Sequence, residues 1–408
     1  MIVSVLHTPK LDSIFRFIIP MLVSVSSVWS QEFVPEYGEI VERVSADTIS
    51  RKLEEYANLG IKEPGTLPLD LALEWIQSQY EGFGYTDIET NTFTFLGEEE
   101  QNLVITKMGT KFPDEFIIID AHYDTINGVG ANDNGSGTVL LLEIARLLAD
   151  IETDYSIKFI HFSIEEQGLV GSQFYVDTEV RGGNQDIRLV FNVDEIGGVA
   201  GENFDTVTCE RDEDDVPSSN NERSAIFTNR LVRHVEIYSD LNAKVDRAFA
   251  SDYVPFQENG EIITGLFEQE FSPFRHTIDD TFENMDPVYV YQITRAATGA
   301  MLDFASAFGS GFLDVTTIPT EPPVTTSPDF VYYPNPTDGV ATLQLPENTG
   351  NSYWLRIFDG LGKEVLFQRR QRSDDQEPEI DVSNLSPGVY ILMLEFRAES
   401  FVQKIIIQ

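Results

Sequence analysis

Three short apolar runs in this 408-residue chain each end in side chains that bind metals or move protons. Phe116–Ile119 leads into Asp120, His122 and Asp124; Ile157–Ile164 leads into Glu165 and Glu166; Leu189–Val193 leads into Asp194 and Glu195. A short continuous apolar run marks a strand buried on both faces, and an open α/β sheet gathers its ligands beyond the carboxyl ends of its strands. Two further segments offer the same chemistry: the loop GANDNGSG, with Asp133, and Arg275-His276-Thr277. Taken singly, acidic strand ends are ordinary solvated loop residues and a lone histidine is usually structural. Five such segments converging on one edge predict a site.

The charges suit two divalent cations. Asp133, Glu166 and Asp194 with one bridging hydroxide balance two dications, while His122 and His276 coordinate as neutral imidazoles. Oxygen and nitrogen donors without thiolate favour zinc, with cobalt or manganese as alternatives. Two metals roughly 3.5–4 Å apart clamp both oxygens of a tetrahedral intermediate. Glu165, beside a ligand but free of the metals, is placed to act as general base. Asp124, two residues after His122, is expected to accept the other ring N–H and fix the imidazole tautomer.

These segments need a scaffold of alternating strands and helices. Ala72, Trp75, Ile76 and Tyr80 recur at helical spacing before the stops Gly82 and Gly84, and apolar positions 140, 141, 144, 145 and 148 mark a second helix. Asp286-Pro287 opens a last helix, with aspartate as cap and proline at the first position. Such alternation predicts an α/β domain with a largely parallel central sheet. Beyond Thr316–Pro328, a Pro/Thr-rich extended linker, the pattern changes. Ala341, Leu343 and Leu345 alternate with polar residues, as do Leu355 and Ile357 with their neighbours; Asp359–Gly362 reads as a turn, and β runs follow at 389–396 and 401–407. That tail predicts a small β-sandwich.

Composition narrows the partners. The chain carries 27 Lys+Arg against 68 Asp+Glu, a net charge of −41, of which −38 falls within residues 31–329. So acidic a surface repels phosphate backbones and excludes nucleic acid as a partner. A single cysteine, Cys209, rules out an intrachain disulfide and a CxxC centre. Residues 1–30, with Lys10 and Arg16 before an apolar stretch ending Val28-Trp29-Ser30, read as a signal peptide. No later stretch has the roughly 18 uninterrupted apolar residues of a membrane span. There is no HExxH, GxSxG or Walker motif. His161 reads as a packing residue within a strand, His234 as part of a surface helix, and 201–223 as an acidic solvated loop holding Cys209, with calcium binding the alternative.

The segments AHYDT (121–125), GANDNGSGTVLLLEIAR (130–146), FSIEEQGLVGS (162–172), FNVDEIG (191–197), SDYVPF (251–256) and FRHTIDDTFEN (274–284) together resemble the co-catalytic dizinc aminopeptidases of metallopeptidase family 28. The resemblance covers about residues 45–308 and implies a three-layer α/β/α zinc exopeptidase fold with a mostly parallel mixed sheet. It implies one zinc on His122, Asp133 and Asp194 and another on Asp133, Glu166 and His276, with Asp133 bridging, Glu165 as base and Asp124 orienting His122. Glu195 departs from the apolar residue found in many relatives. Residues 330–408, with YPNPTDG, LSPGVYIL and KIIIQ, resemble the C-terminal sorting domain of type IX secretion substrates.

The expected organisation is a signal peptide (1–30), a dizinc peptidase domain (31–312), a linker (313–329) and a β-sandwich sorting domain (330–408). The expected function is a secreted or surface-attached aminopeptidase with two Zn2+ per chain, peptide substrates and the type IX machinery as partner. Glutaminyl cyclase or carboxypeptidase of the same fold, and an inert surface adhesin, are the alternatives.

Overall fold

A computed structural model describes residues 34–181, 185–213, 217–309, 330–337, 339–345, 352–358, 364–372, 378–395 and 400–408. The segments read as a signal peptide (1–30), the Pro/Thr linker and the turn at 359–362 lie outside these.

Eight strands form one mixed sheet: β1 (Ile88–Phe95), β2 (Glu98–Lys107), β3 (Phe112–His122), β4 (Tyr155–Phe162), β5 (Asp186–Val193), β6 (Thr206–Arg211), β7 (Asn242–Arg247) and β8 (Ile263–Phe267). Their order is β1-β2-β4-β3-β5-β8-β6-β7. The central β4, β3, β5 and β8 are mutually parallel; β1, β2 and β6 introduce the antiparallel pairs. The side-chain period of two divides the apolar runs between two layers. Ile117 and Ile119, Ile157 and Phe159, Leu189 and Phe191 join one core; Ile118, Ile160, Phe162 and Val190 join the other.

The larger core is covered by α1 (Pro35–Val41), α2 (Ala46–Ala57), α3 (Leu67–Phe83), α4 (Gly135–Leu148), α6 (Asn221–Tyr238) and α8 (Pro287–Phe304). The opposite core takes residues from α5 (Val170–Tyr175) and α7 (Val254–Glu258). Local signals end and start these helices as anticipated. Gly84 closes α3 in the left-handed conformation, φ 94°, and the Asp286 side chain caps α8 by accepting from the Val288 N–H at 2.9 Å.

Two readings need correction. Residues 206–211 of the supposed acidic loop are strand β6, and Cys209 lies fully buried in it. His234 is likewise buried, its Nε2 3.0 Å from Asp303 Oδ2 where α6 meets α8. An i, i+4 reading of α6 cannot reveal that its polar side also has a helix against it. His161 does pack in the core, with Nε2 2.9 Å from the Tyr80 hydroxyl.

The C-terminal region is a separate sandwich. One sheet has β9 (Val331–Tyr333), β10 (Val340–Gln344) and β13 (Glu379–Asp381); the other has β11 (Ser352–Phe358), β12 (Glu364–Gln371), β14 (Gly388–Glu395) and β15 (Ser400–Ile407). Inward residues of both, including Leu343, Ile380, Leu355, Leu392 and Ile405, make one core that shares no member with the first two.

Candidate metal centre

Parallel pairing of β3, β4 and β5 brings their carboxyl ends to one edge. His122 ends β3, Glu165 and Glu166 follow β4, and Asp194 follows β5. Asp133 arrives on the loop before α4, and His276 on the loop between β8 and α8. Gly130, at φ 64°, turns the Asp133 loop; a Cβ there would lie 2.4 Å from the Asp133 carbonyl oxygen.

The side chains form two triplets, His122–Asp133–Asp194 and Asp133–Glu166–His276. Within each, one ligand atom per residue lies within 4.8 Å of the others. His122 Nε2 is 3.3 Å from Asp133 Oδ1 and 3.3 Å from Asp194 Oδ1. His276 Nε2 is 3.0 Å from both Asp133 Oδ2 and Glu166 Oε2. Asp133 therefore offers one oxygen to each triplet. Glu165 Oε2 stands 4.0 Å from His122 Nε2, outside both.

Backbone strain concentrates here. Ile164 (φ 60°), Glu195 (φ 44°) and His276 (φ 55°) hold the left-handed conformation although none is glycine. Strained backbone of this kind persists where surrounding structure fixes a functional side chain.

Electrostatics expose an unmet need for cations. Burial works against the His122 imidazolium, yet Asp194, Glu165, Asp124 and Asp133 outweigh it and raise its pKa well above the ordinary value. Hydrogen bonding to Asp133 and Glu166 pushes His276 up to about 10. Burial pushes Glu165 far above the usual carboxylate range, opposed by His122 and reinforced by Asp252 and Asp194. Glu166 Oε1 is buried without a hydrogen bond, and Asp133 Oδ2 has the His276 ring nitrogen beside it at 3.0 Å. Buried carboxylate oxygens gathered with two imidazoles fit a divalent metal.

All seven residues singled out from the sequence, His122, Asp124, Asp133, Glu165, Glu166, Asp194 and His276, meet at this edge. Asp124 differs in detail. His122 Nδ1 is 3.1 Å from the Asp124 backbone carbonyl oxygen and 3.6 Å from its carboxylate, so the carbonyl fixes the ring. Two neighbours turn away: Asp120 accepts from Asn192 Nδ2 at 2.8 Å, and Glu195 pairs with Arg275 at 2.9 Å.

The support shell was not evident in the sequence. Asp280 accepts the backbone N–H groups of Asn132 (2.9 Å) and Asp133 (3.0 Å), holding the metal loop. Ser251 donates to Asp194 Oδ2 at 2.8 Å. Both lie in quoted segments, but residue type alone does not separate Asp280 from its neighbour Asp279.

Residues 102–301 match the family description "Peptidase family M28", from β2 through most of α8. Those residues form an M28 domain. Residues 331–408 match the secretion system C-terminal sorting domain. Aminopeptidase YwaD of Bacillus subtilis is 31% identical over 217 residues, 51% of this chain and 46% of that protein. Aminopeptidase Y of Saccharomyces cerevisiae is 30% identical over 162 residues, 39% and 28% respectively. The chain thus spans less than half the length of either relative. The Legionella pneumophila LapA aminopeptidase has the same fold, with 21% identity, a TM-score of 0.59, and coverage of 70% of this chain and 78% of that one. A Bacteroides thetaiotaomicron glutaminyl cyclase is also similar (17% identity, TM-score 0.53, covering 63% and 97%), so the M28 domain's fold alone does not separate the two chemistries.

Proposed function

We propose that the chain is an exported zinc aminopeptidase that hydrolyses N-terminal residues from peptides. The observation that carries this reading is the pair of triplets sharing Asp133, with Glu165 beside them but outside both. His122, Asp133 and Asp194 would hold one zinc, and Asp133, Glu166 and His276 the other. Bound zinc supplies a low-pKa water and polarises the scissile carbonyl.

The remaining work belongs to the protein. Glu165 takes the proton of the attacking water and returns it to the departing amine. The Asp124 carbonyl holds the His122 ring, and Asp280 holds the backbone of the Asp133 loop. The sorting domain supports export through the type IX machinery to the medium or cell surface.

The complete second triplet, with His276 and Glu166, favours two metals per chain over the single metal expected of a cyclase. Metal analysis of the purified protein together with a peptide library, its termini read by mass spectrometry, tests the reading. Two zincs and loss of N-terminal residues are expected. One metal with cyclised N-termini, C-terminal trimming, or no turnover by the metal-replete protein would each reject it.

A further inference from the structure

A cavity of about 40 Å³ opens beside Asp194, between the ends of β5, β6 and β8. Its outer wall is aromatic. The Phe267 and Phe271 rings stand edge-to-face at 4.9 Å, and Phe249 meets Phe271 at 6.5 Å. Phe249 and Phe271 are 68% and 53% exposed. Large apolar rings left in water beside a reaction centre mark a surface awaiting a ligand.

The inner end of the cavity is acidic. Glu210, on β6, is buried, and its Oε2 accepts from the Tyr253 hydroxyl at 3.0 Å. That hydroxyl in turn accepts from the Phe249 N–H at 2.7 Å, which fixes its direction. The strand opposite makes room: a Cβ on Gly265 would sit 2.7 Å from Glu210 Oε2. Among the described residues Glu210 has no salt-bridge partner. The cation that shares the cavity, Arg275, is engaged by Glu195 at 2.9 Å and lies over Phe271 at 4.6 Å.

Resting on the aminopeptidase reading, we propose that this cavity receives the side chain of the substrate's N-terminal residue and that Glu210 selects a basic one, lysine or arginine. The methylene stem lies against the phenylalanine rings, which also attract a cation through their faces. The tip reaches Glu210 and supplies the positive partner that this carboxyl lacks. The space, about three water-sized groups at roughly 10–15 Å³ each, suits the end of an aminoalkyl chain. A second, independent feature points the same way: the charge of −38 over residues 31–329 concentrates cationic peptides near the site. An acidic N-terminal residue would meet Glu210 and Glu195 and be excluded.

The test compares lysyl, arginyl, norleucyl, leucyl and glutamyl amides on the metal-replete full chain and on Glu210→Gln, which keeps an oxygen for Tyr253. Norleucine matches the lysine stem without its charge. The wild type should favour lysyl over norleucyl amide by about 10–100-fold in kcat/KM, the range expected of one hydrogen bond to a charged group. In Glu210→Gln that ratio should shrink at least tenfold, and rising salt should lower wild-type lysyl turnover more than norleucyl. Calorimetric binding of free lysine against free norleucine provides a readout without turnover and should show the same order. Equal or better use of norleucine by the wild type overturns the assignment, as does a ratio unchanged in Glu210→Gln. Should that variant not fold, the wild-type ratios and the two binding constants decide. Absence of turnover on every amide would reject the aminopeptidase reading instead, leaving lysine-over-norleucine binding to decide on the cavity.

Discussion

The carboxylate of Asp124 holds the turn that carries Glu165. Its Oδ1 accepts the Glu165 N–H at 3.0 Å and its Oδ2 the Glu166 N–H at 3.2 Å, while its backbone carbonyl stands 3.1 Å from His122 Nδ1. One residue thereby sets the positions of the proposed base and of a proposed ligand in each triplet. Asp124→Asn exchanges one acceptor oxygen for an NH2 that faces an N–H. Turnover is expected to fall on the order of 10–100-fold, as for other partners that orient a metal site, with some metal affinity lost. Wild-type kcat with full metal would show that the turn needs no such tie.

Glu165 lies outside both triplets, so Glu165→Gln removes proton transfer and leaves the donors in place. Metal content by mass spectrometry and substrate affinity should match the wild type, while kcat drops on the order of 10²–10⁴-fold. Near-normal turnover in a metal-replete variant would take Glu165 out of the mechanism.

Asp133 gives one oxygen to each histidine, His122 at 3.3 Å and His276 at 3.0 Å. Asp133→Asn should therefore weaken both metals, whereas His122→Ala weakens mainly one. Zinc content titrated against a chelator separates the two patterns. Matching single-site losses in both variants would contradict a shared ligand.

How much of this was readable beforehand depended on burial. The runs of β3, β4 and β5 are mostly apolar because helices cover both faces, continuous in Phe116–Ile119 and broken only by Lys158, His161, Ser163 and Asn192 in the others, and each points to its functional end. Edge strands gave no such signal. β1 reads IETNTFTF and β7 NAKVDR, both largely solvent-facing, and β6 hides in an acidic stretch although its middle is buried. Likewise, metal-binding residue types announce themselves, but the hydrogen bonds that hold them do not. Asp280 reaches the Asp133 loop across 147 residues of sequence, and the Asp124 carboxylate reaches the Glu165 turn across 41, meetings that no local pattern encodes. Glu210 was invisible for the same reason: its meaning comes from Gly265 and Tyr253 on other elements.

His161 makes stability depend on pH. Burial alone lowers its pKa to about 3 from 6.5, and its Nε2 is 2.9 Å from the Tyr80 hydroxyl. Between those two values the unfolded chain takes up a proton that the folded one refuses, so stability falls as the pH drops from about 6.5 toward 3. The loss is on the order of a few kcal/mol. His161→Gln should be less stable at pH 8, yet lose less than the wild type on acidification. Urea melts of both proteins at several pH values measure this; parallel curves would show that His161 does not titrate with unfolding.

The tail and the M28 domain have separate cores, and a described contact between them lies far from the two His/carboxylate triplets. Arg356 of β11 places its guanidinium over Phe112 at 5.8 Å and within 3.5 Å of the Tyr155 hydroxyl, at the amino ends of β3 and β4. The proposed ligands gather at the carboxyl ends of the same strands. A chain truncated after about residue 312 keeps α8, whose last turns carry Ala305 O as acceptor for the Tyr155 N–H at 3.2 Å. It loses the Arg356 cover over Phe112 and Tyr155, which still stack on each other at 4.6 Å. Purified truncated protein should bind metal and cleave substrate as the full chain does, with a modest drop in Tm. In its own host it should stay in the periplasm if residues 330–408 direct passage across the outer membrane. Normal amounts in the medium would reject the sorting role. An unfolded truncated protein would instead make the Arg356 contact part of the enzyme's structure.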